Sequence, residues 1–317
     1  MPSSARQPIG FVLLSFNRPE QTISLCRKLS DAFGDPPIAL HHDFGQCNLD
    51  RRALPSNVHL VEPWLATGWG VFSIVEANLA ALSLLYQVAD PDWCVSLSTT
   101  DYPIKTAEHI LADLGNSTWD AFLDHRELIY PSLPRRHQRV VADGFKDPAW
   151  LVIAYNRYVA ISLEPGNRTW RSRVLDRLLY LRGPLMERLF TPFTAKFRPY
   201  GGDAWYTVNR RAASVLTEQN ALFWQLRRHY LGRPVPEESV YQTILCNAGL
   251  RICPDNLRYA DWSDGGSHPR LLSSEDISAF AKTNAHFARK FPFDMNLFHE
   301  VDAAVASESM SGATIIR

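Results

Sequence analysis

The chain has 317 residues, 46% of them apolar and 11% aromatic, enough for one large α/β domain or two small ones with a real core. Its 33 basic residues balance 33 acidic ones, so nothing in the overall charge recommends nucleic acid as a partner. The five cysteines (Cys26, Cys47, Cys94, Cys246 and Cys253) include no C-x-x-C pair, which argues against a zinc site or a disulfide framework and fits a reducing compartment.

The opening stretch MPSSARQPIG runs into a strand-like FVLLSF without a secretory pattern, and no apolar run approaches the roughly 18 residues of a membrane span. The expectation is a cytoplasmic protein, soluble or held peripherally at the inner membrane face. Gly10 to Phe16 reads as a strand ending in the polar turn Asn17-Arg18-Pro19. Glu20 to Phe33 has helical spacing, with Ile23, Cys26, Leu29 and Phe33 on one stripe. Ile38 to Leu40 is a second strand, ending in His41-His42-Asp43, and Val58 to Val61 is a third. Ser73 to Gln87 is a helix, Trp93 to Leu97 a fourth strand and Ala121 to Leu123 a fifth. This alternation predicts a doubly wound, mostly parallel sheet with helices on both faces. Ligands on such sheets lie beyond the carboxyl ends of the strands, where Asn17, Asp43 and Asp101 fall.

Asn167 to Arg198 carries eight basic residues, with Asp176 and Glu187 as its only acids, and reads as a helical hairpin broken at Gly183-Pro184. Two readings stay open for it: an amphipathic helix with a solvated basic face, or, over Arg168 to Arg198, a surface for anionic lipid or an anionic acceptor. Residues 301–317 are expected to be a frayed tail after a single domain over 1–300. That domain divides into a nucleotide-binding half (about 1–125) and an acceptor and catalytic half (about 126–300).

Four clusters are more polar than their apolar surroundings. Thr67-Gly68-Trp69-Gly70 precedes a helix, where glycine lets backbone approach a ligand and the helix start favours an anion. Ser96 to Ile104 (SLSTTDYPI) places a hydroxyl-rich turn and Asp101 at a strand end, with a helix starting near Thr106; Asp101 either binds a sugar hydroxyl or caps the turn. Arg233 to Glu238 (RPVPEE) delivers two adjacent carboxylates to the start of a helix with Val240, Ile244 and Leu245 on its apolar stripe. The pair either complements the helix dipole or supplies a general base. About 100° apart around a helix, at most one should face a cleft, and spacing alone does not choose between Glu237 and Glu238. Phe287 to Phe291 (FARKF) puts Arg289 and Lys290 between aromatics at the end of a helical segment, Asp276 to Phe287. They form a solvated helix end or a charge-stabilising pair for a phosphate leaving group. Upstream, RYADW (Arg258 to Trp262) and GGSHPR (Gly265 to Arg270) add an aromatic platform, a tight loop and another cation.

In this order the clusters resemble the core-2/I-branching family of β-1,6-N-acetylglucosaminyltransferases and the related peptide O-xylosyltransferases. The matching stretches are FVLLSFNRPEQ, HHDFG, ATGWGVFSIVEANLAAL, SLSTTDYPI, YGGDAWYTVNRR, VPEESVYQTIL, LRYADW and FARKF, spanning Ile9 to Phe291. The resemblance implies a GT-A fold, a UDP-sugar donor, a glycan or glycolipid acceptor, inversion at the anomeric carbon and no cofactor. It also implies no divalent metal, in keeping with the missing D-x-D before Tyr102. By the family's P-[DA]-E motif the base is Glu238. Arg289 and Lys290 fall on the diphosphate-neutralising cations, with Arg270 beside them at a spacing about three residues different. Asn17, Asp43 and Thr67 are placed at the nucleotide, Ser98 and Asp101 at the donor sugar, and Asp203, Trp205 and Trp262 at the acceptor. One departure is local: xylosyltransferases read G-G-S-D-W where this chain has Gly201-Gly202-Asp203-Ala204-Trp205, which moves the aspartate by one position. Neither the N-terminal anchor nor the disulfide set of the Golgi members is expected here, so their animal acceptors are not assumed.

Overall fold

A computed structural model describes residues 7–129, 148–159, 191–265 and 268–313. The first half alternates as expected: β1 (Ile9–Ser15), α1 (Pro19–Phe33), β2 (Ile38–His42), β3 (Val58–Leu60), α2 (Ser73–Val88), β4 (Trp93–Ser98), β5 (Tyr102–Pro103), α3 (Ala107–Asn116), β6 (Ala121–Leu123) and β7 (Arg126–Glu127). Then come α4 (Pro148–Tyr158), β8 (Tyr200–Gly201), β9 (Tyr206–Asn209), α5 (Arg210–Thr217) and α6 (Ala221–Tyr230). After a 3-10 turn (Pro236–Glu238), the chain continues with α7 (Val240–Cys246), β10 (Ile252–Cys253), β11 (Arg258–Ala260), α8 (Ile277–Phe280), β12 (Phe287–Arg289) and α9 (Met295–Ala313).

The central sheet has seven strands in the order β10-β6-β9-β4-β1-β2-β3. β1 pairs in parallel with β2 and β4, β2 with β3, and β6 with β10; only β9 runs antiparallel, between β4 and β6. This is the doubly wound, mostly parallel sheet expected of a GT-A enzyme. Period-two alternation explains why both faces are covered. In β1, Ile9, Phe11 and Leu13 pack with Leu25 and Leu29 of α1, Ile110 of α3 and Val301 of α9. Val12 faces the other way, into a core with Leu82 and Leu85 of α2, Leu216 of α5 and Leu245 of α7. Strands β9 and β10 join the same seven-stranded sheet as the strands of the first half.

Local signals hold most boundaries. Pro19 opens α1, and Gly34, at φ +67°, closes it in the left-handed region that glycine tolerates. Thr106 caps α3, its Oγ1 accepting from the His109 N–H at 3.2 Å. Two expectations fail. The segment 276–287 is not one helix. It is a 3-10 turn and the four-residue α8, followed by β12, which lies between β11 and β5 in a second sheet. The strand wins there because its backbone pairs on both sides, with β11 and with β5, and Phe287 and Ala288 are both fully buried. Nor does the chain fray after Glu300. α9 continues to Ala313, pinned by buried Val301 and by Asp302, which pairs with Lys28 at 2.7 Å and accepts from Tyr102. The helical hairpin expected over 167–198 falls outside the described residues except for Thr191 to Arg198. There Thr194 and Phe197 bridge a tight turn and Phe193 is buried. No helix among the described residues is long and apolar enough to cross a membrane.

Candidate active site

The carboxyl ends of β1, β2 and β4 open into a cavity of about 410 Å³. Of the residues singled out in the sequence, Asn17, Thr67, Ser98, Asp203, Trp205, Glu238, Trp262, Arg289 and Lys290 line it. Asp43, Asp101 and Arg270 do not.

Asp43 and Asp101 act from behind the wall. Asp43 is 1% exposed, and both its oxygens are engaged: Oδ1 accepts from Gly45 N–H at 3.0 Å, and Oδ2 from Thr67 N–H at 2.7 Å, Thr67 Oγ1 at 3.0 Å and Gln46 Nε2 at 2.7 Å. Burial alone would raise its pKa, but these donors, led by the Thr67 backbone, hold it below the usual carboxylate range. Its effect is to fix Thr67 at the cavity edge. Asp101 accepts from the backbone and hydroxyl of Ser98, the latter at 2.7 Å, while its Oδ1 lies 3.5 Å from Arg289 Nε. That carboxylate therefore positions both Ser98 and Arg289.

The cationic wall is a strand, not a helix end. Arg289 stacks its guanidinium 4.1 Å from the centroid of the Trp205 ring, so the tryptophan orients the cation. Lys290 has its pKa lowered by burial and then by Arg18 and Arg289, which places three cations around one open space. Arg270 is turned away from that space. It donates to Asp261 at 2.7 Å and to both oxygens of Asp276, and those bonds raise its pKa. The loop that carries Arg270 closes on its own carboxylates, and this removes it from the expected diphosphate set.

The two glutamates sit in the 3-10 turn before α7 rather than on the helix, and both line the cavity. Val235, left-handed at φ 55°, redirects the chain into that turn, its N–H donating to Gly70 O at 2.8 Å. The Glu238 carbonyl accepts from Gly202 N–H at 2.8 Å. Glu238 Oε2 accepts from Tyr158 Oη at 3.0 Å and Arg157 Nη1 at 3.4 Å. Burial first, and then the Glu238 charge, push the Tyr158 phenol pKa up, so Tyr158 remains a proton donor to the carboxylate. Glu237 differs: burial raises it to about 7, reinforced by Glu238 and opposed by its own backbone N–H and Arg157, and its Oε2 is sealed from solvent.

Sequence reasoning missed Arg157 and Tyr158, which come from a helix with no polar motif and meet Glu238 some eighty residues later. It also missed Arg258, half-buried in the cavity wall and with its pKa lowered to about 10 by desolvation, which donates to Ser96 O at 3.1 Å and joins the second sheet to β4. Trp69 and His268 meet edge to face at the rim, with ring centroids 6.2 Å apart. Asp203 is placed by Asp124 Oδ2, which accepts from its N–H at 3.0 Å, and by Gln242, which donates to its carbonyl at 2.6 Å. Among the described residues no group of three or more His, Cys, Asp or Glu side chains could hold a metal ion.

Known proteins share this arrangement of sequence. The beta-glucuronosyltransferase GlcAT14A of Arabidopsis thaliana is 26% identical over 275 residues, covering 83% of this chain and 53% of that protein. Xylosyltransferase 1 of Homo sapiens is 26% identical over 264 residues, covering 76% of this chain and 24% of that protein. The chain thus spans about half, or less, of the length of these curated relatives. Among solved structures, the galactosyltransferase LgtC in complex with donor and acceptor sugar analogs aligns at a TM-score of 0.36 and 11% identity, covering 94% of this chain and 95% of that one; a score so low carries no functional weight. The family model described as Core-2/I-Branching enzyme matches residues 48–281, a span that holds Glu238, Trp205, Trp262 and most of the cavity wall. With well over half of its length matched, the chain belongs to the Core-2/I-Branching enzyme family.

Proposed function

We propose that this protein is an inverting, metal-independent glycosyltransferase that moves a sugar from a UDP-sugar to a hydroxyl of a glycan or glycolipid, with Glu238 as general base. The observation that carries the reading is one cavity with two electrostatic walls. One presents a carboxylate fixed by Tyr158 and Arg157; the other presents Arg289 and Lys290. Glu238 takes the proton of the acceptor hydroxyl as that oxygen attacks the anomeric carbon, and the bond to the UDP oxygen breaks on the opposite face. The charge that grows on the departing diphosphate is neutralised by Arg289 and Lys290. Thr67 and Asn17 hold the nucleoside, with Asp43 fixing Thr67. Ser98 faces the donor sugar, held by Asp101, while Asp203 and Trp262 face the acceptor.

Glu237 is the competing base, because a carboxyl that titrates near 7 suits the role. Accessibility favours Glu238: the Glu237 Oε2 is sealed from solvent, whereas the Glu238 side chain is 30% exposed to the cavity. For the donor, the family resemblance favours N-acetylglucosamine or xylose, and the relatives named for glucuronosyl and xylosyl transfer add glucuronic acid to the set. Metal independence rests on the two cations and on the single carboxylate of the Ser98-to-Asp101 turn, which is spent on Ser98 and lies beside Arg289. UDP release should be followed with each UDP-sugar, a glycan acceptor and excess EDTA. The expected result is transfer at the same rate with and without EDTA. Loss of activity restored by manganese would overturn the metal-independent mechanism.

A further inference from the structure

With Arg270 held by Asp261 and Asp276, the leaving-group wall is left with Arg289 and Lys290, and the geometry points to Arg18 as its third cation. This assignment deepens the reading above and rests on it. Arg18 lines the cavity at the end of β1, and among the described residues no carboxylate pairs with it. It is tied to the Lys290 strand through one side chain. Arg18 Nη1 donates to Gln21 Oε1 at 3.4 Å, and the buried Gln21 donates from Nε2 to the carbonyl of Phe291 at 3.1 Å. Gln21 thus joins the first turn of α1 to the segment that follows β12. The depressed pKa of Lys290, caused in part by Arg18, reflects the same proximity.

The local backbone carries a cost that folding alone does not explain. Arg18 occupies the N-cap of α1, where Ser, Thr, Asp or Asn would satisfy a free N–H, and it makes no side-chain cap. It is also left-handed, at φ 54° and ψ 58°, a region costly for a residue with a Cβ. The folded protein gives this uncapped, left-handed arginine only the long 3.4 Å hydrogen bond to Gln21, and sets it beside two like charges in the cavity wall. It gains when a dianion enters the space that Arg18, Arg289 and Lys290 share, and the Pro19 that follows keeps the helix start in register to present it.

The test is binding of UDP and of uridine, measured by calorimetry on the whole chain and on four variants, Arg18→Ala, Arg18→Lys, Lys290→Ala and Arg270→Ala. Arg18→Ala should weaken UDP about tenfold, the low end for a charge-assisted contact at a partly exposed position, and leave uridine unchanged. Arg18→Lys should recover most of the loss, and Arg270→Ala should leave UDP affinity as it was. UDP affinity unchanged in Arg18→Ala, with Lys290→Ala weakened, would remove Arg18 from the wall and leave the proposed function standing. An equal loss for UDP and uridine would move Arg18 to the nucleoside and overturn the assignment. If the unaltered chain binds no UDP, the glycosyltransferase reading falls together with it.

Discussion

Replacing Asp101 by Asn separates two roles that the sequence left open, contact with the donor sugar and support of the wall. The Asp101 carboxylate is 0% exposed; its Oδ2 accepts from Ser98 N–H and Ser98 Oγ, and its Oδ1 lies 3.5 Å from Arg289 Nε as an ion pair without a hydrogen bond. Asn offers one oxygen and one NH2. If its oxygen faces Ser98, its NH2 faces Arg289; if the amide flips, it meets the Ser98 N–H. In either orientation one donor confronts another. A hydrogen bond to a charged group is worth about 1.5–3 kcal/mol, and the long Arg289 contact adds little, so the variant should lose about 2–3 kcal/mol. For a chain of this size that is a fall in Tm of about 5 °C. Arg289 would also lose its orientation, so UDP and the UDP-sugar should both bind about tenfold more weakly, by the same factor. Thermal melts and calorimetry with both ligands read this out. Weaker binding of the UDP-sugar with unchanged UDP affinity would show that Asp101 touches the sugar, and the support argument would fail.

Two further predictions concern the turn that carries the glutamates. A Cβ at Gly202 would lie 1.9 Å from the carbonyl oxygen of Asp124, and the Gly202 N–H holds the Glu238 carbonyl, so Gly202→Ala should cost at least about 3 kcal/mol and most of the activity; a stable, active variant would show that the turn is not fixed there. Glu237 keeps its proton up to about 7 when folded but only to about 4.5 when unfolded, so the stability that its burial contributes is present at low pH and is lost as pH rises through 7. Urea unfolding should find that Glu237→Gln gains roughly 2 kcal/mol relative to the unaltered chain between pH 5.5 and 8, and a pH-independent difference would contradict the burial argument.

Where a residue's role depends on near neighbours, the sequence was readable. The apolar stripes of α1 and α2 and the short run of β6 announced those elements to within a residue or so, because each buries one face against the sheet. FARKF was misread because phenylalanines four apart fit a helix face as well, and the strand is fixed only by pairing with residues far away in sequence, Arg258–Ala260 and Tyr102–Pro103. The site was legible only at strand ends and in motifs. Asn17 and Ser98 follow from where parallel strands stop and Thr67 from the glycine-rich approach to a helix, whereas the choice of Glu238 came from the family motif. The partners of Glu238 lie in α4, a stretch from which no element or motif was read, and nothing local to Tyr158 signals a contact made across the fold. Arg270 failed for the opposite reason: its neighbours in sequence, Asp261 and Asp276, are its neighbours in space, and they claim it.

The central claim is that Glu238 removes the acceptor proton, and the initial rate of transfer by Glu238→Gln tests it most directly. Gln keeps the reach of the carboxylate and its contacts with Tyr158 and Arg157 but cannot take up a proton at neutral pH. The account predicts a fall of about 10²–10⁴-fold at saturating donor, with UDP affinity intact and Glu237→Gln still active. A Glu238→Gln enzyme that transfers sugar within a few fold of the unaltered chain, or a Glu237→Gln enzyme that is the dead one, would contradict it.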